Sequence, residues 1–333
     1  MNAFWPEQAS NFATEVDYLY LILIGLTVFF SIIVFVPILI MVMKYRQGTK
    51  ADRTNVHHHN LKLELTWTII PLLMGLPVFW FGADIFLDMY KPIEGGNVLN
   101  IDVVGKQWMW HLQHPTGQRE NNELHIPVGR PVRLRMISQD VLHAFFVPAF
   151  RVKKDVIPGS YHEIWFEATK PGRYHLFCAE YCGTKHSEMT GYVTVLEPEE
   201  YEQWLEDTKW GTNNLIASKA KPETTAEAGE RLFVEMGCVN CHSPKDDGKF
   251  VPLTGIYGSD RRLEDGRIVE ADDDYIRMSI YQPDAMKVAG HDADMPSFKG
   301  QLDEQQVMQL IAYIRTLKNG QPAAATVGRE ESR

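Results

Sequence analysis

The chain has 333 residues, of which 23% are charged, with a formal net charge of -10 and only four cysteines. Its length allows two ordinary domains and further segments. The few cysteines exclude a disulfide-stapled miniprotein. The negative charge argues against nucleic acid as a partner and is compatible with a basic protein partner.

Two long apolar segments stand near the N-terminus. Residues 18–43 carry no charged side chain, and at about 1.5 Å per residue they exceed the roughly 30 Å apolar core of a bilayer. This segment is too long for a signal peptide and lacks a basic start. A second uncharged run covers residues 65–83. The sequence therefore predicts a tail at 1–17 and a transmembrane helical hairpin in contact with lipid at 18–95.

The charges around the two spans predict an orientation. Five lysines and arginines lie between residues 44 and 62, whereas the tail at 1–17 contains three acidic residues and no lysine or arginine. The positive-inside rule places the loop in the cytoplasm of a bacterial plasma membrane. The N-terminus and everything after Tyr90 then lie on the outer, periplasmic side.

The cytoplasmic loop and the start of the second span contain ionisable residues. For the histidines at 57–59, a solvated loop is a simpler interpretation than a metal site. Glu64 lies at the inner mouth of the second span. An ionisable group at that depth is costly, so a functional role is the default hypothesis. An interfacial carboxylate near a helix start is the alternative.

The sequence predicts a first outer domain, made of short strands, over residues 96–205. The segments at 131–136, 161–166 and 191–196 are rich in β-formers, and glycine and proline separate them. Regular spacing of this kind indicates an antiparallel sandwich or barrel. We expect a β-sandwich that holds metal between loops at one end.

The loop at 178–189 concentrates metal-binding side chains in this domain. It contains Cys178, Cys182, His186 and Met189. Soft sulfur ligands together with imidazole suit copper, and suit zinc less well. The two thiolates can share metal, with His186 and Met189 as terminal ligands and His143 as the remaining imidazole. A disulfide or a structural zinc site are the alternatives for the cysteines, but neither explains the histidine and methionine.

The sequence resembles subunit II of the haem-copper cytochrome c oxidases. The segments that carry the resemblance are the 178–189 loop, Val141–His143, Gly105–Trp110, Asp155–Gly159 and Leu63–Pro71, and the similarity extends over about residues 15–205. It implies a two-helix hairpin followed by a cupredoxin sandwich with a dinuclear copper centre, CuA. It also implies a complex with oxidase subunit I and further subunits.

The resemblance implies roles for individual residues. The implied copper ligands are bridging Cys178 and Cys182, terminal His143, His186 and Met189, and the backbone carbonyl of Glu180. The Glu180 side chain is implied to reach a magnesium ion at the interface with subunit I. Trp108 corresponds to the exposed aromatic residue at which donor cytochromes deliver electrons, and Glu64 to the entrance of a proton path into subunit I.

The sequence departs from the family pattern at two places. The usual His-Gln-Trp-Tyr-Trp is Lys106-Gln-Trp-Met-Trp110 here, and the residues after His143 are Ala-Phe-Phe rather than the Ser-Trp-Ala type. Neither change removes a ligand. The first change thins the aromatic patch around Trp108, where a donor would dock.

Residues 206–222 are polar and read as a linker, and 223–320 form a second outer domain. A helix predicted over 225–236 leads into Cys238-Val-Asn-Cys241-His242, the pattern for c-type haem attachment. The two thiols add across the haem vinyl groups, and His242 is placed to bind the iron.

The haem iron needs a second axial ligand. We predict Met295, because a Met-Pro step forces an extended backbone that can project sulfur into a cleft. A thioether ligand opposite histidine raises the reduction potential of the haem iron. Met286 and His291 are the runners-up.

The C-terminal part predicts a closing helix over 303–318, with Asp303 as N-cap and Gly320 at its end. This organisation is similar to a small class I cytochrome c domain. Residues 223–320 contain 18 acidic and 11 basic residues. This charge indicates a donor with a basic face or a neighbouring respiratory complex, with plain solubility as an equal alternative. Residues 321–333 are predicted to be disordered.

The sequence thus predicts a multidomain membrane protein: a transmembrane hairpin, an all-β cupredoxin sandwich and an all-α class I cytochrome c domain. Its predicted function is electron entry into a terminal oxidase. Electrons would pass from a donor through covalent haem c and CuA to subunit I, where oxygen is reduced and protons are pumped. The alternatives are a CuA and haem c subunit of a nitrogen-oxide reductase, or a membrane-tethered copper chaperone.

Overall fold

The computed structural model describes residues 5–54, 59–91, 93, 95, 97–206, 223–242, 250–291 and 295–317. It opens with two helices, α1 (Ala13–Tyr45) and α2 (Leu61–Tyr90), that are long and apolar enough to cross a membrane. Helix α1 begins at Ala13, five residues before the predicted start at residue 18. The Asn60 side chain caps α2 by accepting a hydrogen bond from the Leu63 amide at 3.2 Å.

A β-sandwich follows the hairpin. Its strands are β1 (Leu99–Lys106), β2 (Met109–Gln113), β3 (Arg119–Asn121), β4 (Glu123–Pro127), β5 (Pro131–Ser138), β6 (His143–Val147), β7 (Val152–Val156), β8 (His162–Glu167), β9 (Gly172–Cys178) and β10 (Thr190–Leu196). They form two five-stranded sheets, in the orders β3-β2-β1-β5-β8 and β4-β10-β9-β6-β7. The sandwich is mixed rather than purely antiparallel, since β1 pairs with β5 and β4 with β10 in parallel. The parallel pairs arise because the chain crosses between the sheets at β4 and returns at β5.

The core of the sandwich lies between the two sheets. Alternate residues of β10 are buried, and Trp110, Phe145, Phe150 and Phe166 are among the largest fully buried side chains. Phe12, from the segment before α1, packs into the same core. The outer end of α1 is therefore attached to the sandwich.

Backbone hydrogen bonds hold the segment before α1 on the sandwich. The Ala9 amide donates to the Ala149 carbonyl at 3.0 Å, and the Thr169 amide donates to the Ala9 carbonyl at 2.9 Å. At the far end of the domain, helix α3 (Pro198–Glu206) packs Tyr201 and Trp204 into the core. Sequence patterns did not predict α3, and Glu206, assigned to the linker, is its last residue.

The second outer domain is mostly helical. Its elements are α4 (Thr225–Glu235), the hairpin β11 (Asp260–Arg262) and β12 (Ile268–Glu270), α5 (Asp273–Tyr281) and α6 (Glu304–Thr316). Asp303 caps α6 as predicted. Gly229 lets α4 and α6 cross closely, because a Cβ there would lie 1.9 Å from the Gln309 carbonyl oxygen. Residues 207–222 of the predicted linker and the predicted tail at 321–333 lie outside the described residues.

Candidate metal and haem sites

The five side chains predicted to bind copper meet at one end of the sandwich. The Sγ atoms of Cys178 and Cys182 are 3.8 Å apart. His143 Nδ1 lies 3.9 Å from the Cys178 sulfur. His186 Nδ1 and Met189 Sδ lie 3.5 Å and 3.8 Å from the Cys182 sulfur. The ligand atoms of His143 and both cysteines lie within 4.8 Å of one another.

Adjacent strands and one loop hold these side chains in place. Cys178 ends β9 and His143 begins the neighbouring strand β6. The Cys178 amide donates to the Met189 carbonyl at 3.1 Å, which folds the loop back on itself. The Ala179 amide donates to the Ala144 carbonyl at 3.0 Å and joins the loop to β6. Backbone hydrogen bonds within the protein therefore set the arrangement.

The donor set fits a dinuclear copper centre. Both cysteines are free thiols, and their separation is far beyond the roughly 2.05 Å of a disulfide bond. His143 and Met189 are fully buried, and Cys182 is 2% exposed. Two thiolates, two imidazoles and a thioether in a water-excluding site are ligands that favour copper.

The two thiols influence each other's ionisation. Burial raises the pKa of Cys178, but hydrogen bonds from His143 and from the backbone outweigh it and lower the pKa to about 6. Burial and the charge of Cys178 raise the pKa of Cys182 to about 12. Without metal, the pair therefore holds one negative charge far more readily than two.

Asp140 orients the imidazole of His143. Its Oδ1 lies 2.8 Å from His143 Nε2, so the other ring nitrogen, Nδ1, faces Cys178. The Gln107 amide donates to the second carboxylate oxygen at 2.7 Å. Carboxylates of this kind fix the orientation of metal-binding histidines. Sequence analysis missed Asp140, although a carboxylate three residues before the ligand was the available signal.

Trp108 touches the metal loop directly. Its indole N–H donates to the Cys182 carbonyl at 3.2 Å, and the Gln107 side-chain amide donates to the same oxygen at 2.8 Å. The ring is half-buried rather than exposed. Gly183 permits this approach, since it has φ +117° and a Cβ there would lie 2.9 Å from the Gln107 amide nitrogen.

The two oxygen-bearing groups of Glu180 point to different places. Its carbonyl oxygen lies 3.2 Å from the Cys178 sulfur and so joins the ligand cluster. Its side chain is 38% exposed and forms an ion pair with Lys153 at 3.0 Å. Lys153 also pairs with Asp155. The lysine occupies one of the two oxygens of the Glu180 carboxylate.

A cavity of about 290 Å³ in the helical domain brings together the residues predicted to hold haem. Cys238, Cys241, His242 and Met295 all line it, and α4, α5 and α6 provide largely apolar walls. Enclosed apolar cavities with a few polar groups are typical of cofactor sites.

Several polar groups of this cavity fit a bound haem. His242 donates Nδ1–H to the Val251 carbonyl at 2.9 Å, which leaves Nε2 for the iron. Burial lowers the pKa of His242 and favours the neutral imidazole that binds metal. His291 also lines the cavity, and its buried Nδ1 has no hydrogen-bond partner among the described residues. Met295 and the runners-up Met286 and His291 all face the same cavity.

Glu64 lies in the first turn of α2. Its Oε1 is 2.7 Å from His59 Nδ1 and accepts a hydrogen bond from the Asn60 amide at 3.3 Å. The carboxylate is partly exposed, and its place at the mouth of a proton path stays a prediction. His57 and His58 lie outside the described residues.

Comparisons with known proteins agree with this architecture. Three family models match the chain: the transmembrane domain of cytochrome c oxidase subunit II at residues 1–80, its periplasmic domain at 116–196, and cytochrome c at 226–318. Cytochrome c oxidase subunit 2 of Alkalihalophilus pseudofirmus is 32% identical over 86% of this chain and 83% of its own length. The protein of the same name from Thermostichus vulcanus is 32% identical over 60% of this chain and 76% of its own length.

Among the solved structures that are similar is the periplasmic domain of subunit II of cytochrome oxidase from Bradyrhizobium japonicum. It is 35% identical, covers 33% of this chain and 93% of its own, and has a TM-score of 0.32. The family models confirm the predicted resemblance and fold class, and the matched domains imply copper and haem c. The chain belongs to the cytochrome c oxidase subunit II family and carries a C-terminal cytochrome c domain.

Proposed function

We propose that the chain is the electron-entry subunit of a haem-copper terminal oxidase. Electrons from a donor would reach a covalent haem c, then a CuA centre, and then subunit I, where oxygen is reduced to water and protons are pumped. The observation that carries this proposal is that one member of the family combines a cluster of five side chains suited to copper with a cavity that contains the haem attachment motif. Both features are those of an electron carrier.

The protein's own residues prepare both sites for electron transfer. When bound, the copper centre and the haem would each take up and release one electron. Asp140 holds the His143 ring and the backbone holds the loop, so the ligands need little movement between redox states. Burial of Met189 and Cys182 keeps water from the copper cluster.

We assign the individual roles as follows. The proposed copper ligands are His143, Cys178, Cys182, His186, Met189 and the Glu180 carbonyl. Cys238 and Cys241 would attach the haem, with His242 and Met295 as axial ligands. Trp108 would pass electrons from an external donor, and its hydrogen bond to the Cys182 carbonyl supports this role. Glu64 would open a proton path, and the Glu180 carboxylate would meet magnesium at subunit I.

We further propose that both metal domains lie on the outer side of a bacterial plasma membrane. The basic loop at 44–62 supports a cytoplasmic hairpin turn. The segment before α1 packs on the copper domain, so the N-terminus and that domain lie at the same end of the hairpin. Oxidase subunits, a donor cytochrome or upstream complex, and lipid are the proposed partners.

The second candidate is the equivalent subunit of a nitrogen-oxide reductase, which would use the same sites. The curated relatives are named cytochrome c oxidase, and this favours oxygen. Membership of the family and the cytochrome c domain disfavour a copper chaperone.

The proposal is tested on the complex purified through this chain. We expect two coppers and one covalent haem per chain, together with oxygen consumption. Cys182→Ser should lose copper and turnover but retain haem, whereas Ser187→Ala, at an exposed position of the same loop, should retain all three. Nitrogen-oxide reduction without oxygen consumption would indicate the reductase. One exchangeable copper and no haem would indicate a chaperone.

A further inference from the structure

The haem domain packs directly on the copper domain through helix α6. One face of α6 lines the haem cavity with Leu310 and Ile314. On another face, Met308 is 1% exposed and packs against Val104 of β1 and Ile137 of β5. A single helix therefore lies between the haem cavity and a sheet of the copper domain.

A buried cluster of charges joins the two domains beside this contact. Arg135 of β5 donates to Asp102 of its own domain at 2.8 Å and to Asp273 of the haem domain at 2.6 Å. Arg315 of α6 binds the same Asp273 carboxylate with two contacts of 2.6 Å. Arg135 is only 7% exposed and Asp273 10% exposed. Such a pair is strongly position-specific, because removing one partner leaves a buried charge unpaired.

The interface also contains hydrogen bonds to or from backbone groups at both of its ends. At one end, the Tyr161 amide donates to Asp274 at 2.9 Å, and Arg277 donates to the Gly159 carbonyl at 3.1 Å. At the other end, the Thr225 amide donates to the Pro115 carbonyl at 3.3 Å. These bonds cross between the domains, so their presence depends on docking.

Buried side-chain amides lie between these ends. Gln113 of β2 accepts hydrogen bonds from Gln305 at 3.0 Å and from Gln309 at 3.2 Å. Gln113 and Gln309 are 3% and 2% exposed. A buried amide without its partner is costly, so this contact also favours one relative position.

The strand of the copper domain that contacts α6 also contacts a predicted copper ligand. Gly105 follows Val104 in β1, and a Cβ at Gly105 would lie 3.1 Å from His143 Cδ2. The packed sequence from the haem cavity is thus α6, Val104, Gly105 and His143. Trp108 contacts the copper loop at a different residue, Cys182.

We infer that the Arg135–Asp273 pair and its neighbouring contacts hold the haem domain in one docked position, from which electrons reach the copper site through α6 and the His143 side rather than through Trp108. The route rests on the proposed function, whereas the docking does not. With haem and copper bound, one electron would pass from the first to the second, with no bond made or broken.

The docking is tested by hydrogen exchange of the full chain in its purified complex. The Tyr161 and Thr225 amides bond only across the interface, so their protection reports docking. Arg135→Met should accelerate their exchange by about a hundredfold or more. Asp273→Asn, which keeps the side-chain shape, should act in the same direction with a smaller effect. Arg133→Met, on the same strand but bonded within the copper domain to Asn100 at 2.7 Å and Glu163 at 3.9 Å, should change neither amide.

The route is tested in the same samples by the rate at which a flash-reduced haem is reoxidised by copper. We expect this rate to fall at least tenfold in Arg135→Met, with the haem and copper spectra intact. Unchanged protection of both amides in Arg135→Met and Asp273→Asn would overturn the docking. Lost protection with an unchanged rate would overturn the route. Absence of haem-to-copper transfer in the unaltered chain would instead refute the proposed function.

Discussion

The copper site and the haem site place their cofactor-binding side chains in different surroundings. At the copper site, the two cysteine sulfurs and their neighbours are already within 3.9 Å contacts, inside a packed sandwich. The haem site is a cavity of about 290 Å³ among three helices and their loops. The copper-binding side chains belong to the packed end of the sandwich, whereas the haem-binding side chains line a cavity.

This difference predicts different dependence on the cofactor. The sandwich buries Trp110, Phe145 and Phe166 in a core made by its own two sheets, so copper would add to a core that protein side chains already fill. The haem domain has α4, α5 and α6 around an apolar cavity, and a cofactor in that cavity supplies part of its core. Apolar cavities without contents are destabilising.

The largest effect is expected from preventing haem attachment. The double variant Cys238→Ser, Cys241→Ser should destabilise the haem domain by about 5 kcal/mol or more, comparable with the whole stability of a small domain. Copper binding should persist. Thermal unfolding of the purified chain, followed by calorimetry, should show loss of one transition and retention of the sandwich transition.

The control for this contrast is Cys182→Ser, which removes a copper bridge. It should leave both unfolding transitions in place, with the sandwich transition only slightly lowered. If loss of copper unfolds the sandwich while loss of haem leaves the second domain folded, the comparison is wrong.

A second effect concerns the support of His143. Asp140→Ala removes the carboxylate that holds the ring, so copper affinity should fall by about 10–100-fold. The sandwich should remain folded, because Asp140 lies at the surface end of the site. Competition with a copper chelator measures the affinity. Asp155→Ala, an exposed carboxylate paired with Lys153, is the matched control, and equal losses in both variants would remove Asp140 from this role.

Gly105→Ala tests how tightly the copper site is packed. The added methyl group would meet His143 Cδ2 and Trp110 Cζ3 at 3.1 Å, so the histidine has to shift by a few tenths of an ångström. We expect about 1 kcal/mol of destabilisation and a shifted absorption spectrum of the copper-loaded protein. Gly129→Ala, where a Cβ meets open space but φ is +69°, should lower stability with an unchanged spectrum.

The smallest effect is the ionisation of the metal-free copper site. The lowered pKa of Cys178, about 6, predicts one thiolate at pH 7 that is lost as the pH falls below about 6. The raised pKa of Cys182, about 12, keeps the second thiol protonated. In the haem-attached chain, where Cys238 and Cys241 carry no free thiol, thiolate ultraviolet absorbance should therefore show one step near pH 6 and no further thiol step between pH 7 and 10. Two steps near the ordinary cysteine pKa would show that the thiols do not interact.

Local patterns predicted a large part of this protein. The two apolar runs, the helix over 225–236, the helix capped at 303 and the Cys-x-x-Cys-His motif are each contained in a short stretch of chain. The copper loop is also local, and only His143 comes from elsewhere. Helix α5 was missed, although the sequence contained a signal for it. Asp272 precedes an acidic first turn, and the apolar residues Tyr275, Ile276 and Ile280 follow at helical spacing.

The sequence by itself determined the class of each segment and the ligand types, because hydrophobic runs, caps and metal-binding motifs act over a few neighbouring residues. Only the tertiary structure decided how the two outer domains meet. Arg135 and Asp273 are 138 positions apart, and each looks like an ordinary surface charge in its own stretch. Their pairing depends on two folded surfaces becoming complementary, and no local pattern records that.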